Sequence, residues 1–206
     1  MGRWVKLNYR GFLKRNYLVF LITVLFLIMG VIFGTIAVKV LTVEQLNNLN
    51  HYLETSLEST GDNLNYQNTA KHAVMRNLET IFKIWFLGLT VVGLPLIMVI
   101  IFTRGFVLGF TVSFLLVNKG LEGFFLVLLT IFPQNILHIP ALVFAGVAAT
   151  GFSIYLVRGR KNDRSSISSS FLKYTFIILA LALIMVIAGI VEGYLSPFIA
   201  KIFKLF

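Results

Sequence analysis

The residues from Tyr17 to Val38 contain no charged side chain and read YLVFLITVLFLIMGVIFGTIAV. A helix needs about twenty consecutive apolar residues to cross the hydrocarbon core of a bilayer, so this run is long enough to span one. It is too long for the core of a signal peptide and has no small-residue cleavage site, which favours a retained span. We therefore expect an integral membrane protein.

Composition supports this class, because 58% of the residues are apolar and only 13% are charged. The chain has 206 residues, which leaves no room for a soluble catalytic domain beside several spans, so we expect a single membrane domain over residues 1–206. The formal net charge is +10, but the basic residues adjoin apolar runs, which favours an orientation signal over nucleic-acid binding. Cysteine is absent, which excludes disulfides and thiolate chemistry.

Further apolar segments predict additional spans. They are Ile81–Phe102, the short segment Phe106–Val117, Ile136–Val157, and Phe171 to about Val191. The segment 118–133 is expected to be a re-entrant or interfacial helix, or a surface turn. The predicted fold is all-α, with about five transmembrane helices, this additional element and an extracytoplasmic helical hairpin.

Basic residues orient the predicted spans, because Lys and Arg are retained on the cytoplasmic side of short loops. Residues 1–16 and the loop 158–170 are rich in basic residues, so both are placed in the cytoplasm, together with Arg104. Residues 42–80 carry more acidic than basic residues, as an external loop does. The prediction is a multi-pass protein of the cell membrane with a cytoplasmic N-terminus and an extracytoplasmic C-terminus.

Residues 42–80 are predicted to form the external helical hairpin. Apolar residues recur every three or four positions from Val43, Thr42 with Gln45 suits a capping box, and Gly61 to Asn68 breaks the pattern. Such an apolar stripe packs on its own partner helix or on lipid, or it forms a docking groove. The candidate partner-binding residues are Leu46, Leu49, Leu53 and Leu57.

Polar residues interrupt the apolar run IFPQNILHIPALVFAG, from Ile131 to Gly146. A proline removes a backbone donor, and side-chain amides and imidazoles compensate, so a broken helix packed inside the bundle is expected. Such breaks form substrate sites in transporters, but a turn between two spans is the interpretation we favour, because no charge accompanies the break. The residues concerned are Pro133, Gln134, Asn135 and His138.

Two charged residues, Lys83 and Glu192, adjoin the apolar runs. Lys83 follows Glu79 by four positions, which favours a local helix pair. The alternative is a cross-helix pair between Lys83 and Glu192 that ties the second span to the fifth.

Glycines at a spacing of four residues indicate close helix packing, because small residues let backbones approach in lipid. Such packing serves the monomer or a homodimer. The candidates are Gly30 with Gly34 and Gly105 with Gly109.

No motif of a hydrolase, nucleotide-binding protein or metalloenzyme occurs, so we expect neither enzymatic activity nor a cofactor. His51 and His72 are a candidate metal pair across the hairpin, but two histidines without carboxylate or thiolate company are typical of a surface, and no metal site is predicted.

Five segments in order resemble the stage II sporulation protein M family. They are FLIMGVIFGTIAV, IWFLGLTVVGLPLI, RGFVLGFTVSFLL, IFPQNILHIPALVFAGVAA and GIVEGYLSPFI. The resemblance implies a multispan membrane protein of endospore-forming bacteria that acts in engulfment of the forespore. It implies as partners the stage II sporulation proteins D and P, membrane-anchored enzymes that cleave peptidoglycan, with the M component as their scaffold at the septal membrane.

The predicted function is therefore a membrane scaffold that recruits these two enzymes for peptidoglycan remodelling. The alternative is a permease-like or channel subunit of a transporter, in which the region from Pro133 to Pro140 lines a path.

Overall fold

The computed structural model describes residues 9–62, 66–157 and 164–204, and almost all of them are helical. The all-α prediction is confirmed. The helices are α1 (Tyr9–Val40), α2 (Val43–Asp62), α3 (Tyr66–Gly88), α4 (Gly93–Leu126), a π-helical turn (Val127–Ile131), α5 (Phe132–Val157) and α6 (Arg164–Lys204).

Three segments are long and apolar enough to cross a membrane: Tyr17–Val40, Gly93–Val157 and Ile167–Leu195. The second contains 65 residues, far more than the roughly 20 that one crossing needs. It folds back on itself at Gly120, whose φ of 52° lies in the left-handed region that glycine adopts without a steric penalty. The expectation of a membrane protein is confirmed.

Inter-helix contacts give the direction of each helix. Gly30 of α1 faces Phe102 and Phe106 of α4, and Gly34, one turn later, faces Phe106 and Phe110, so α1 and α4 run parallel. After Gly120 the chain returns, because Leu126 lies near Leu115, while Gly146, twenty residues further on, faces Ile101. Helix α5 is therefore antiparallel to α4.

Helix α6 runs antiparallel to both α5 and α3. The ring of Phe152 on α5 stacks on that of Tyr174 on α6 at 4.7 Å between centroids. Tyr174 also donates to the carbonyl oxygen of Trp85 near the end of α3, while Gly193 contacts Ala70 near the start of α3. The core of the bundle consists of α3, α4, α5 and α6 and includes Ile84, Ile97, Ile101, Leu142 and Met185, which are completely buried.

The predicted span Ile81–Phe102 is wrong as a single helix, because the chain turns between Gly88 and Gly93. The hydroxyl of Thr90 accepts from the Gly93 amide at 3.1 Å, and Ser153 donates to the Thr90 carbonyl at 2.8 Å. This turn contains neither charge nor proline, so hydropathy does not register it. As a consequence, Arg104 lies in the interior of α4 instead of at a helix end.

The segment 118–133 also differs from the re-entrant prediction. Its break is at Gly120, and the helix that follows continues through the π-helical turn into α5. Pro133 lies inside this continuous helix, directly after the π-helical turn, in which the Phe132 amide bonds to the carbonyl of Val127, five residues back. A turn does form in the segment 118–133, at Gly120, but the turn favoured at Pro133 does not form, because the helix continues there.

The predicted hairpin of residues 42–80 forms its two helices but does not close. Among the described residues, α2 contacts α6 more extensively than it contacts α3. The reason is that α3 extends to Gly88 and places its apolar face, with Ile81 and Ile84, in the core. The predicted capping box is confirmed: Thr42 and Gln45 each donate a backbone amide to the other's side chain, at 3.0 and 3.4 Å.

The two predicted basic segments are partly helical. Helix α1 begins at Tyr9, within the segment 1–16, and α6 begins at Arg164, within the loop 158–170. Residues 1–8 and 158–163 lie outside the described residues.

The four candidate packing glycines lie together in the contact between α1 and α4. A Cβ on Gly30 or Gly34 would overlap the backbone of α4, and a Cβ on Gly105 or Gly109 would overlap carbonyl oxygens of Leu27 or Val31 on α1. The backbones of α1 and α4 therefore touch directly, as in close-packed transmembrane helices.

We expect Gly34→Ala to lower the melting temperature in detergent by roughly 2–12 °C, because overpacking against backbone costs about 1–3 kcal/mol. Gly146→Ala is the matched control, because its Cβ would meet mainly the flexible end of the Ile101 side chain. Thermal unfolding of both variants checks this, and equal melting temperatures would contradict it.

Candidate functional site: a polar cluster between four helices

Five polar side chains from four helices lie near one another, with Thr80 and His138 buried in the bundle and Arg76 exposed at its surface, and we call them the polar cluster. They are Arg76 and Thr80 of α3, Arg104 of α4, His138 of α5 and Glu192 of α6. Arg104, His138 and Glu192 all lie within segments that are apolar enough to span a membrane. Ionisable residues in such segments are rare and usually functional.

A chain of hydrogen bonds joins four members of the polar cluster. Arg104 donates from Nη2 to the Thr80 hydroxyl at 2.5 Å, and that hydroxyl donates to the Arg76 carbonyl at 2.8 Å. Arg76 in turn forms an ion pair with Glu192, with 2.5 Å between Nη2 and Oε1. The three helices α3, α4 and α6 are thus connected through polar contacts.

Glycines on α6 set the position of Glu192. A Cβ on Gly189 would overlap the backbone of Val74, and one on Gly193 would overlap the backbone of Ala70. Helices α3 and α6 therefore approach closely at residues that precede and follow Glu192. Asn77 fixes the register, because its Nδ2 donates to the Met185 carbonyl at 3.1 Å and is buried.

The polar cluster has an excess of positive charge, with the two guanidinium groups of Arg76 and Arg104 against the single carboxylate of Glu192. Glu192 pairs with Arg76 and Glu79 pairs with Lys83, and among the described residues no carboxylate forms an ion pair with Arg104. An arginine at the centre of a membrane helix costs about 2.5–3.5 kcal/mol on translocon-based scales, so this arrangement is expensive.

A line of buried polar atoms leads along the π-helical turn and α5 to the polar cluster. Thr130, Gln134 and His138 follow one another at intervals of four residues, and Oγ1, Oε1 and Nε2, respectively, have no hydrogen-bond partner. Arg104 and Arg76 lie near enough to act on His138 electrostatically. Charges from α3 and α4 therefore reach this region, although its own segment carries none.

The structure does not form the cross-helix pair between Lys83 and Glu192. Lys83 pairs with Glu79 on its own helix at 2.6 Å, which is the local alternative, while Glu192 pairs with Arg76. Of the other candidate polar residues, Asn135 donates from Nδ2 to the Ile131 carbonyl at 2.7 Å and supports the helix next to Pro133.

The candidate partner-binding leucines lie on α2, away from the polar cluster. Leu46 and Leu49 are half-buried, and the side chains of Leu53 and Leu57 lie outside the described residues. Asn50, on the same side of α2, donates to Oδ1 of Asn118 on α4 at 3.2 Å. This side of α2 therefore faces the end of the bundle.

Sequence reasoning missed Arg76, Thr80 and Arg104. One signal was available: Arg104 is flanked by more than ten uncharged residues on each side, which is unusual for an arginine near a helix end. In the described ranges, no three His, Asp or Glu side chains lie together in a way that could hold a metal ion.

The sequence pattern of the stage II sporulation protein M family matches residues 22–197. The chain belongs to this family. All five residues of the polar cluster fall within this matched region. No curated protein and no solved structure matches the chain.

We expect Glu192→Gln to destabilise the protein by about 0.5–1 kcal/mol, because Arg76, which is largely exposed, would lose its counter-charge. The swap Arg76→Glu with Glu192→Arg should recover part of this loss, whereas Lys83→Glu with Glu192→Lys should not. Thermal unfolding in one detergent distinguishes the pairs, and equal recovery by the two swaps would contradict the assigned partners.

Proposed function

We propose that this family member is a membrane scaffold that recruits the stage II sporulation proteins D and P to the septal membrane during forespore engulfment. Membership of the family supports a role in sporulation. The partners follow from what the family resemblance implies. A scaffold for peptidoglycan-degrading enzymes needs a surface on the side of the membrane where the cell wall lies.

The proposal includes a topology of about five crossings, by α1, α3, α4, α5 and α6. Their alternating directions support this, and the basic residues before α1 favour a cytoplasmic N-terminus. Helix α3 takes the place of the span predicted at Ile81–Phe102. With this orientation, α2 lies on the extracytoplasmic side.

The observation that carries the proposal is the position of α2 at one end of the bundle. Its capping box and the bond from Asn50 to Asn118 hold it there, and its leucine side is half-buried. Val43 at the start of α2 and Tyr52 on the side away from the leucines are 74% and 73% exposed. Tyrosines are common at the energetic centres of interfaces, so we assign docking to these exposed residues and assign the leucines to holding α2.

We expect Tyr52→Ala combined with Val43→Ala to reduce co-purification of proteins D and P at least about tenfold, which corresponds to about 1.4 kcal/mol of binding energy. Tyr17→Ala is the matched control, because Tyr17 is also exposed but lies at the opposite end of α1. The level of the protein in the membrane should be unchanged. Retention of both enzymes by the α2 variant would contradict the docking site, and their absence from the wild-type preparation would contradict the function.

A second candidate function, a permease-like or channel subunit, is favoured by the buried line of Thr130, Gln134 and His138. Intramembrane polar groups of this kind mark substrate pathways in transporters.

Because the chain has no cysteine, single cysteines test this alternative in liposomes. In a scaffold without a water-filled path, Gln134→Cys should react with an impermeant thiol reagent as slowly as Phe144→Cys. Phe144 is the reference because it is exposed on the outside of the bundle, where lipid and not water surrounds it. Rapid labelling at position 134 alone would reveal a water-filled path and favour the permease function.

A further inference from the structure

The outward side of α3 carries exposed residues at the spacing of a coiled-coil interface. We call them the α3 seam: His72, Met75, Glu79, Phe82 and Phe86, separated by three and four residues alternately. All five are exposed, although three of them are large and apolar. This alternation is the a and d pattern that lets two helices pack along their length.

The charged part of the α3 seam lies at the depth of the middle of α6. Asn77 bonds to Met185 and Trp85 bonds to Thr175, so Glu79, between them on α3, is level with the residues between Thr175 and Met185. These residues lie at the centre of the apolar segment Ile167–Leu195. Glu79 and its partner Lys83 therefore lie far from both ends of that segment.

Lipid is a poor cover for this surface. The side chains of Glu79 and Lys83 are 59% and 57% exposed, and no other helix in the described ranges covers them. Charged side chains at mid-membrane depth normally face the interior of a bundle or a protein partner. The apolar members of the α3 seam tolerate lipid, but the ion pair does not.

We propose that a second copy of this chain covers the α3 seam, with the two α3 helices parallel and related by a two-fold axis along the membrane normal. Both copies insert with the same orientation, so each Glu79 meets its counterpart at the same depth, with a Lys83 from each copy beside it. If the four side chains alternate around the two-fold axis, each carboxylate lies between two ammonium groups and the like charges lie on the longer diagonals. In this arrangement the seam is complementary to itself in charge.

A second copy is favoured over an uncharged partner helix for the same reason. An apolar helix, like lipid, would surround Glu79 and Lys83 without supplying a new partner, which is unfavourable. The glycine pairs of α1 and α4 do not supply the dimer contact, because they pack against each other within one chain. The inference rests on the proposed membrane crossing of α3, but it does not depend on the scaffold function, which uses a different surface on α2.

Disulfide cross-linking of the purified full-length chain in liposomes tests this proposal, with no native cysteine to interfere. Phe82→Cys and Met75→Cys should each form a disulfide-linked dimer on mild oxidation, at least tenfold faster than Leu183→Cys. Leu183 is the matched control, because it is 67% exposed and lies at a similar depth on α6. Cross-linking no faster than the control would overturn the proposal.

A charge reversal tests the ion cluster at the two-fold axis. In the Phe82→Cys background, Glu79→Lys should slow cross-linking at least tenfold, and adding Lys83→Glu should restore most of the rate. The helical content and the monodispersity of each variant show that the fold is intact. An unchanged rate in Glu79→Lys would overturn the role of the ion cluster, and a cross-link in sporulating cells only to a different protein would overturn the second copy as the occupant.

Discussion

The close contact between α3 and α6 is the interaction on which the polar cluster depends. Helix α3 is too polar to be recognised as a span by its own composition, yet it lies in the core of the bundle. It can lie there because Gly189 and Gly193 remove the side chains that would separate the two backbones. The resulting register places Arg76 beside Glu192 and Thr80 beside Arg104.

The side chains whose burial is energetically unfavourable lie together in one part of the fold. Most of the bundle is held by apolar side chains and by glycine contacts, which carry no charge and need no partner. The charged and polar side chains are gathered mainly on α3 and the positions that face it. Ionisable side chains next to membrane-spanning segments usually serve function, so α3 is the element to which function is most closely linked. One of the two surfaces assigned to partners lies on α3 itself, and the other lies on α2, which precedes it in sequence.

Much of the local structure could be read from the sequence. The apolar run of α1, the capping box of α2 and the glycine spacings in α1 and α4 each depend on residues close together in the chain, and the structure contains all three. The turn between Gly88 and Gly93 could not be read, because it depends in part on a contact that is distant in sequence. The Thr90 hydroxyl bonds to the Gly93 amide within the turn, and Ser153, about 60 residues away on α5, donates to the Thr90 carbonyl. The partner of Glu192 was missed for the same reason, since Arg76 and Lys83 are both basic residues of one helix and only the packing of α3 decides between them.

The sequence by itself determined that the protein is helical, belongs in a membrane and is a member of a sporulation family. These properties follow from apolar length, periodicity and residue pattern, which are local along the chain. Only the tertiary structure decided which charged residues meet, where α3 ends and α4 begins, and which residues of α2 are exposed. Those features depend on the angle and register at which helices pack, and in this bundle packing is set by glycines and buried hydrogen bonds whose partners lie far apart in sequence.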